Sequence, residues 1–293
     1  MKPLILLAFT LAFGSSTQAQ ITTASIAIQQ PLDFIIQPDS LYSYQSYING
    51  KWGVKNKQGR IVLSARYESI GAIHDYKFPV IINGYHGIAD TNGKITWLKK
   101  YTFSTIHWEP SDETFIQGSG GGYIAVKDKN EKTGFINYDG MLIIPCKYQA
   151  VEPFSEGLSC VSKDSLCGFI DVTGKTVIPF YYKSAHSFQN DRAAVLINNK
   201  YGFIDKTGKV VIPARFEHTW CFSEGLCLVT KSVNYTDFYF IDTNGKTVLN
   251  GKYDDAEKFT HGKAVILQNG KCWQIDKTGK KLKYMGTDYF QGC

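Results

Sequence analysis

The residues of this sequence whose types could do chemistry are six histidines, seven cysteines and a recurring Asp-x-Thr-Gly tetrapeptide. Spacing decides what chemistry is open to them. His74, His86, His107, His186, His218 and His261 show no His-x-x-x-His pair and no zinc-protease spacing. Cys146, Cys160, Cys167, Cys221, Cys227, Cys272 and Cys293 contain no Cys-x-x-Cys and form no regular framework, so buried thiols acting as small hydrophobes are the expectation. Cys160 and Cys167 alone flank a turn, at Lys163-Asp164-Ser165, from which they could face each other across a hairpin. The run Gly118 to Gly122 lacks the Gly-Lys-Ser/Thr ending of a phosphate cradle. No Gly-x-Ser-x-Gly elbow offers a serine nucleophile. Asp171 and Asp205 each stand alone in their turns, whereas a calcium loop needs several carboxylates at alternate positions. Asp254-Asp255 beside Lys252 reads as a solvated turn. No catalytic, cofactor-binding or metal-binding residue is nominated, and no cofactor is implied.

The same aspartates and glycines instead mark a repeat. Residues 201–213 (Tyr-Gly-Phe-Ile-Asp-Lys-Thr-Gly-Lys-Val-Val-Ile-Pro) have a near copy at 167–179, and weaker copies begin at Trp52, His86, Thr133, Phe238 and Cys272. The turn glycine recurs as Gly59, Gly93, Gly140, Gly174, Gly208, Gly245 and Gly279, at steps of 34, 47, 34, 34, 37 and 34 residues. A 34-residue period also suits helical repeats, but glycines, β-branched runs and alternating patterns suit a helix badly.

Each copy reads as strands that must position whatever the protein binds. Phe203 and Asp205 point to one face of a strand, Gly202 and Ile204 to the other. The following turn is a hairpin in which the Asp side chain bonds forward and the Gly takes positive φ. Pro145, Pro179 and Pro213 lack a ladder donor and should end a strand or lie on an edge. Tyr148, Tyr182 and Phe216, then Phe154, Phe188 and Phe222, are expected to fill the space between neighbouring units. Ser155-Glu156-Gly157 and Ser223-Glu224-Gly225 are polar turns into a third strand, such as 193–197, which leads into the next unit.

This constellation resembles the bacterial WG repeat family, named for a Trp-Gly pair followed by a short strand, a glycine turn and a β-rich tail. The pair is intact at Trp52-Gly53 and becomes His86-Gly87, Thr133-Gly134, Cys167-Gly168 and Tyr201-Gly202; the last units depart further, with Phe238-Tyr239 and Cys272-Trp273. The resemblance covers roughly residues 41 to 284. It implies a binding or structural module and carries no catalytic residue.

The expected fold is all-β: an array of seven three-stranded antiparallel units over 41–293, propeller-like or an open solenoid. Residues 20–40 would be a lead-in strand or cap. Residues 1–19, with Lys2, the apolar run Leu4 to Phe13 and small residues up to Ala19, read as a signal peptide, too short to span a bilayer. That implies export, to the periplasm or outside the cell, with no stable membrane anchor after cleavage. The 32 basic and 26 acidic residues give a net charge of +6 without a clustered stripe, which argues against nucleic-acid binding. The 47-residue step holds a 47 − 34 = 13-residue insertion between Leu98 and Tyr123, and a smaller one of 37 − 34 = 3 residues lies around Ser232 to Thr236. The reading is a non-catalytic scaffold for another protein, with an envelope glycan as the alternative partner. Trp97, Trp108 and Trp220 are the candidate interaction residues, and their exposure together on one face would favour the glycan.

Overall fold

The turn after each copy of the repeat shows why these residues fold as they do. Asp205 Oδ1 accepts hydrogen bonds from the amides of Thr207 and Lys209 and from the Thr207 hydroxyl at 2.9, 3.1 and 2.6 Å. Asp171 and Asp276 repeat the arrangement, and the threonine hydroxyl is the first cause of a carboxyl pKa below the usual value at all three. Asn56 and Asn137 accept from the same two amides in their own turns. All seven turn glycines have φ between +76° and +87°, the left-handed region open to glycine.

The computed structural model describes residues 41–46, 48–108, 113–116 and 121–287, and only the backbone within 105–116. The leader at 1–19, the lead-in at 20–40 and Cys293 lie outside these residues. Seven antiparallel sheets follow one another along the chain, as the repeat predicts, and a separate hairpin pairs Thr105–Trp108 with Glu113–Ile116 inside the 13-residue insertion. Each sheet has three main strands, in the fourth sheet Leu158–Lys163, Leu166–Asp171 and Thr176–Tyr182. Five sheets add a two-residue strand, such as Ala150–Val151, ahead of these. The sheets are offset from the sequence repeat by one strand. The third strand of each copy pairs with the first strand of the next, as Ala193–Ile197 does with Lys200–Ile204.

The aromatics do fill the space between sheets. Phe203 and Ile212 sit opposite each other in the fifth sheet and pack on Phe222, Cys227 and Val229 of the sixth. Phe135–Phe154, Phe169–Phe188, Phe203–Phe222 and Phe240–Phe259 repeat one ring contact, at 4.9, 4.9, 5.0 and 5.0 Å. Six such apolar clusters join consecutive sheets among the described residues. The outer faces of the first and last sheets differ. Where inner sheets pair Phe169 with Ile178 or Phe203 with Ile212, the seventh pairs Gln274 with Lys283. The first sheet turns Lys55 outward where Ile204 stands, with its ammonium 4.1 Å from the Tyr44 ring. The units are propeller-like, and the two end faces carry Lys55 and Gln274 where Ile204 and Phe203 stand in the fifth sheet.

The glycine of the Trp-Gly pair answers to a bulge. Between Cys167↔Tyr182 and Phe169↔Ile178 the outer strand has the longer stretch, and the excess, which includes Pro179, folds over Gly168. A Cβ on Gly168, Gly202 or Gly53 would lie 2.8, 2.7 or 2.6 Å from the carbonyl of Ile178, Ile212 or Leu63. In the sixth sheet Tyr239 takes the glycine's place, and the facing stretch Asn250-Gly251-Lys252 carries a glycine instead.

Polar ties run from sheet to sheet as well. The Ser155 and Ser223 hydroxyls donate to the carbonyls of Phe188 and Phe259, each at 2.6 Å. Glu156 accepts from the Asp191 amide and pairs with Lys206, and Glu224 accepts from the Gly262 amide and pairs with Lys277.

Two substitutions test this packing by urea or thermal unfolding. Phe203→Ala should cost about 3–5 kcal/mol, whereas Gln274→Ala, the same position on an end face, should stay within about 0.5 kcal/mol. Gly202→Ala should cost about 1–3 kcal/mol by driving a methyl into the bulge.

Candidate functional site

The structure separates the candidate tryptophans. Trp97 ends the strand Ile95–Trp97 in the second sheet, is 45% exposed, and meets Tyr85 edge-on at 6.2 Å. Trp220 follows the short strand His218–Thr219 of the sixth sheet, is 39% exposed, and meets Phe238 edge-on at 5.3 Å. The side chain of Trp108 lies outside the described residues. The three-residue insertion adds a further aromatic near Trp220, Tyr235, which stacks on His218 at 3.6 Å.

Trp97 and Tyr85 stand beside a groove of about 340 Å³ between the second and third sheets. Asn83 and Gly84 both have positive φ, the geometry of a two-residue hairpin turn, and this turn starts the strand at Tyr85. Glu68 braces the turn by accepting the amides of Asn83 and Gly84 at 3.0 and 3.2 Å, and it also pairs with Lys51. The Gly84 amide is the main reason its carboxyl pKa is lowered. Tyr85 is 70% exposed. Lys99, Lys100 and Lys129 line the groove, with Lys127 paired to Glu131 at 3.1 Å. Half-buried His86 forms the inner wall, and its Nδ1 accepts the Phe103 amide at 2.9 Å. Burial lowers the imidazole pKa, partly opposed by Glu68, so the ring is held neutral and can accept this bond.

A second groove, of about 530 Å³, occupies the equivalent place between the fourth and fifth sheets. Tyr181, Tyr182, Lys183 and Ile197 line it with the turn Asn198-Asn199, and no acidic residue is among its lining. Tyr181 is 73% exposed, whereas burial raises the hydroxyl pKa of Tyr182. Tyr182 is the cross-strand neighbour of Cys167. Cys160 and Cys167 are not directly opposite, because Cys160 faces Phe169 and Cys167 faces Ser162, but they are diagonal neighbours on one face and both are free. The hydrogen bond between them lowers the Cys167 thiol to about 7 and raises that of Cys160. Burial raises the thiols of Cys146, Cys221 and Cys227, as expected for small core residues.

The turn glycines and aspartates legible in the sequence are scaffold, remote from chemistry. The grooves were not legible, because each joins the end of one copy to the first hairpin of the next. The one available signal was Tyr85 and Tyr181 at positions with no expected apolar partner. Chemically, both grooves combine aromatic faces with lysines; the first also carries Asp128 and Glu131, whereas the second has no acidic residue and suits an acid-bearing chain. Among the described residues no group of three His, Cys, Asp or Glu side chains could hold a metal ion, and no helix is long and apolar enough to cross a membrane.

A family model described as "WG containing repeat" matches residues 52–85, 134–167, 168–201, 201–232 and 240–272. No curated protein sequence matches the chain. Among solved structures, a eukaryotic initiation factor is similar at a TM-score of 0.50 and 11% identity, covering 85% of this chain and 74% of that one. The dihydro-heme d1 dehydrogenase NirN, in complex with DHE, has a TM-score of 0.49 and 13% identity, covering 88% and 65%. Hsv2 of Kluyveromyces lactis has a TM-score of 0.43 and 10% identity, covering 69% and 71%. At these identities the likeness is one of fold.

The neutral His86 ring gives a pH signature. Its folded pKa lies below the ordinary 6.5, so the unfolded chain takes up a proton first and stability falls as pH drops below 6.5. Melting curves across that range should show the loss, and His86→Gln, which keeps an acceptor and removes the titration, should flatten it.

Proposed function

We propose, from the premise that this chain belongs to the family of proteins containing WG repeats, that it is a non-catalytic scaffold which binds another protein through the grooves between its sheets. The repeat family and the propeller-like fold support a scaffold. The observation that carries the reading is the groove between the second and third sheets, where exposed Tyr85 and Trp97 stand beside Lys99, Lys100 and Lys129. Exposed Trp and Tyr are among the residues that dominate protein interfaces, and here neither ring belongs to an apolar cluster of the core. The N-terminal Lys2, apolar run and small residues support export, which places the partner in the periplasm or outside the cell. No cofactor and no nucleic acid take part in this reading.

One observation favours an envelope glycan instead: Trp220 and the His218–Tyr235 stack put three aromatic rings close together in the sixth sheet, and flat faces suit sugar rings. Saturable binding to a cell-envelope glycan, lost in Trp220→Ala, would select that reading.

The test uses the chain from Gln20 onward as bait in cell-envelope extract, beside a Tyr85→Ala/Trp97→Ala variant. Both side chains are exposed, so the variant should melt close to the parent. A partner protein retained by the parent should be captured about tenfold less by the variant, the loss expected when interface aromatics are removed. Equal capture by both, or no protein partner at all, would overturn the proposal.

A further inference from the structure

The repeat makes the molecule its own control, and one unit breaks a pattern that three others keep. The residue just after the conserved aromatic of the outer strand is Glu68 in the second sheet, Gln149 in the fourth and Asp254 in the seventh. In each case its side-chain oxygen accepts an amide from the tight turn about 15 residues later. Glu68 takes those of Asn83 and Gly84 at 3.0 and 3.2 Å. Gln149 takes that of Ser165 at 2.9 Å, and Asp254 that of Asn269 at 2.8 Å. The turns so braced share positive φ, at Asn83-Gly84, Asp164-Ser165 and Asn269-Gly270.

In the fifth sheet the turn is the same and the brace is missing. Asn198 and Asn199 have φ of +49° and +62°, and Ile197 pairs with Lys200 across them. The bracing position, one residue after Tyr182, is Lys183, which has donors only. The nearby carboxylate of Glu217 is engaged by Lys200. Both Asn198 and Asn199 are exposed, and the turn and Lys183 together line the 530 Å³ groove that Tyr181 and Tyr182 flank. The side-chain oxygen that three other sheets provide is replaced here by a positive charge and open space.

We infer that this groove binds a carboxylate of an extended acidic peptide, which takes the place of the missing brace: the amides of Asn198 and Asn199 donate to it and the Lys183 ammonium pairs with it. The geometry needs no rearrangement, because Glu68 shows two such amides converging on one carboxylate in the second sheet. Hydrogen bonds to an ionised acceptor are about twice as strong as neutral ones, and a cation beside the amides adds to them. Tyr181 offers an exposed ring for the peptide to lie against. The inference deepens the reading of the protein as an interaction scaffold by naming the chemistry of one contact, in a different groove from the one that carries that reading.

The full mature chain, labelled with nitrogen-15, is titrated with hexaglutamate and, separately, with hexaglutamine. Hexaglutamate should shift the Asn198 and Asn199 amide signals saturably, and raised salt should weaken the effect. Hexaglutamine should leave them in place. Lys183→Glu introduces the residue found at this position in the second and sixth sheets, so the chain should fold. Its own carboxylate should occupy the amides, moving their signals without ligand, raising the melting temperature and abolishing the hexaglutamate response. Lys183→Arg should retain it. An absent response, an equal response to hexaglutamine, or one that persists in Lys183→Glu would overturn the inference. Capture of a partner that depends on Tyr85 and Trp97 is a separate result and stands or falls without it.

Discussion

Everything in this molecule depends on the fact that a three-stranded sheet has two apolar faces and cannot cover either of them. A sheet of this size is barely stable alone, so its stability is largely borrowed from its neighbours. In the fourth and fifth sheets the means is a buried Phe and Ile opposite each other, with a second Phe and small residues on the next sheet; the first and second sheets use Val54 opposite Leu63 and Ile88 opposite Thr96. A buried ring of this kind contributes roughly 1.5–3 kcal/mol. The serine and glutamate ties between successive turns hold the sheets in register without adding much burial. At the two end faces the sequence changes to Gln274, Lys283 and Lys55.

The edges are handled by a different device. An outer strand with free amides invites pairing with another chain. Here six of the seven outer strands are bent by a bulge, the second sheet's excepted, and in three sheets a proline sits within it, at Pro145, Pro179 and Pro213. The bulge presses on the adjacent strand hard enough to exclude a side chain there, which is the physical origin of the glycine in the Trp-Gly pair. The sixth sheet departs from this: Tyr239 stands in the glycine's place, and the facing stretch carries Gly251, whose Cβ would meet the Tyr253 ring. The grooves lie in the seams between sheets.

The period, the hairpins and the between-sheet aromatics could all be read from the chain because they are local or recur. Asp205 bonding forward, Gly208 at positive φ and Phe222 as filler needed only a pattern repeated in several copies. The one-strand offset between repeat and sheet was not legible, since a strand's pairing partner is set by tertiary contact. Nor were the two-residue strands, too short to leave a pattern, or the reach of Ser155 and Glu156 to the next unit. The grooves were hidden for the same reason: Lys183 is unremarkable as a surface lysine until its place is compared with that of Glu68. The tryptophans drew notice by type, yet Trp97 and Trp220 sit on different sheets with different ring partners.

The sameness of the interfaces has a genetic consequence. The fourth and fifth copies agree at ten of their first thirteen residues at a spacing of 34, and their between-sheet contacts repeat in Phe169–Phe188 and Phe203–Phe222. Misaligned recombination between such copies would gain or lose one whole unit in frame, and every new junction would already exist elsewhere in the array. Length is therefore free to drift during evolution, while the terminal units, whose outer faces are polar, are the parts that cannot be exchanged.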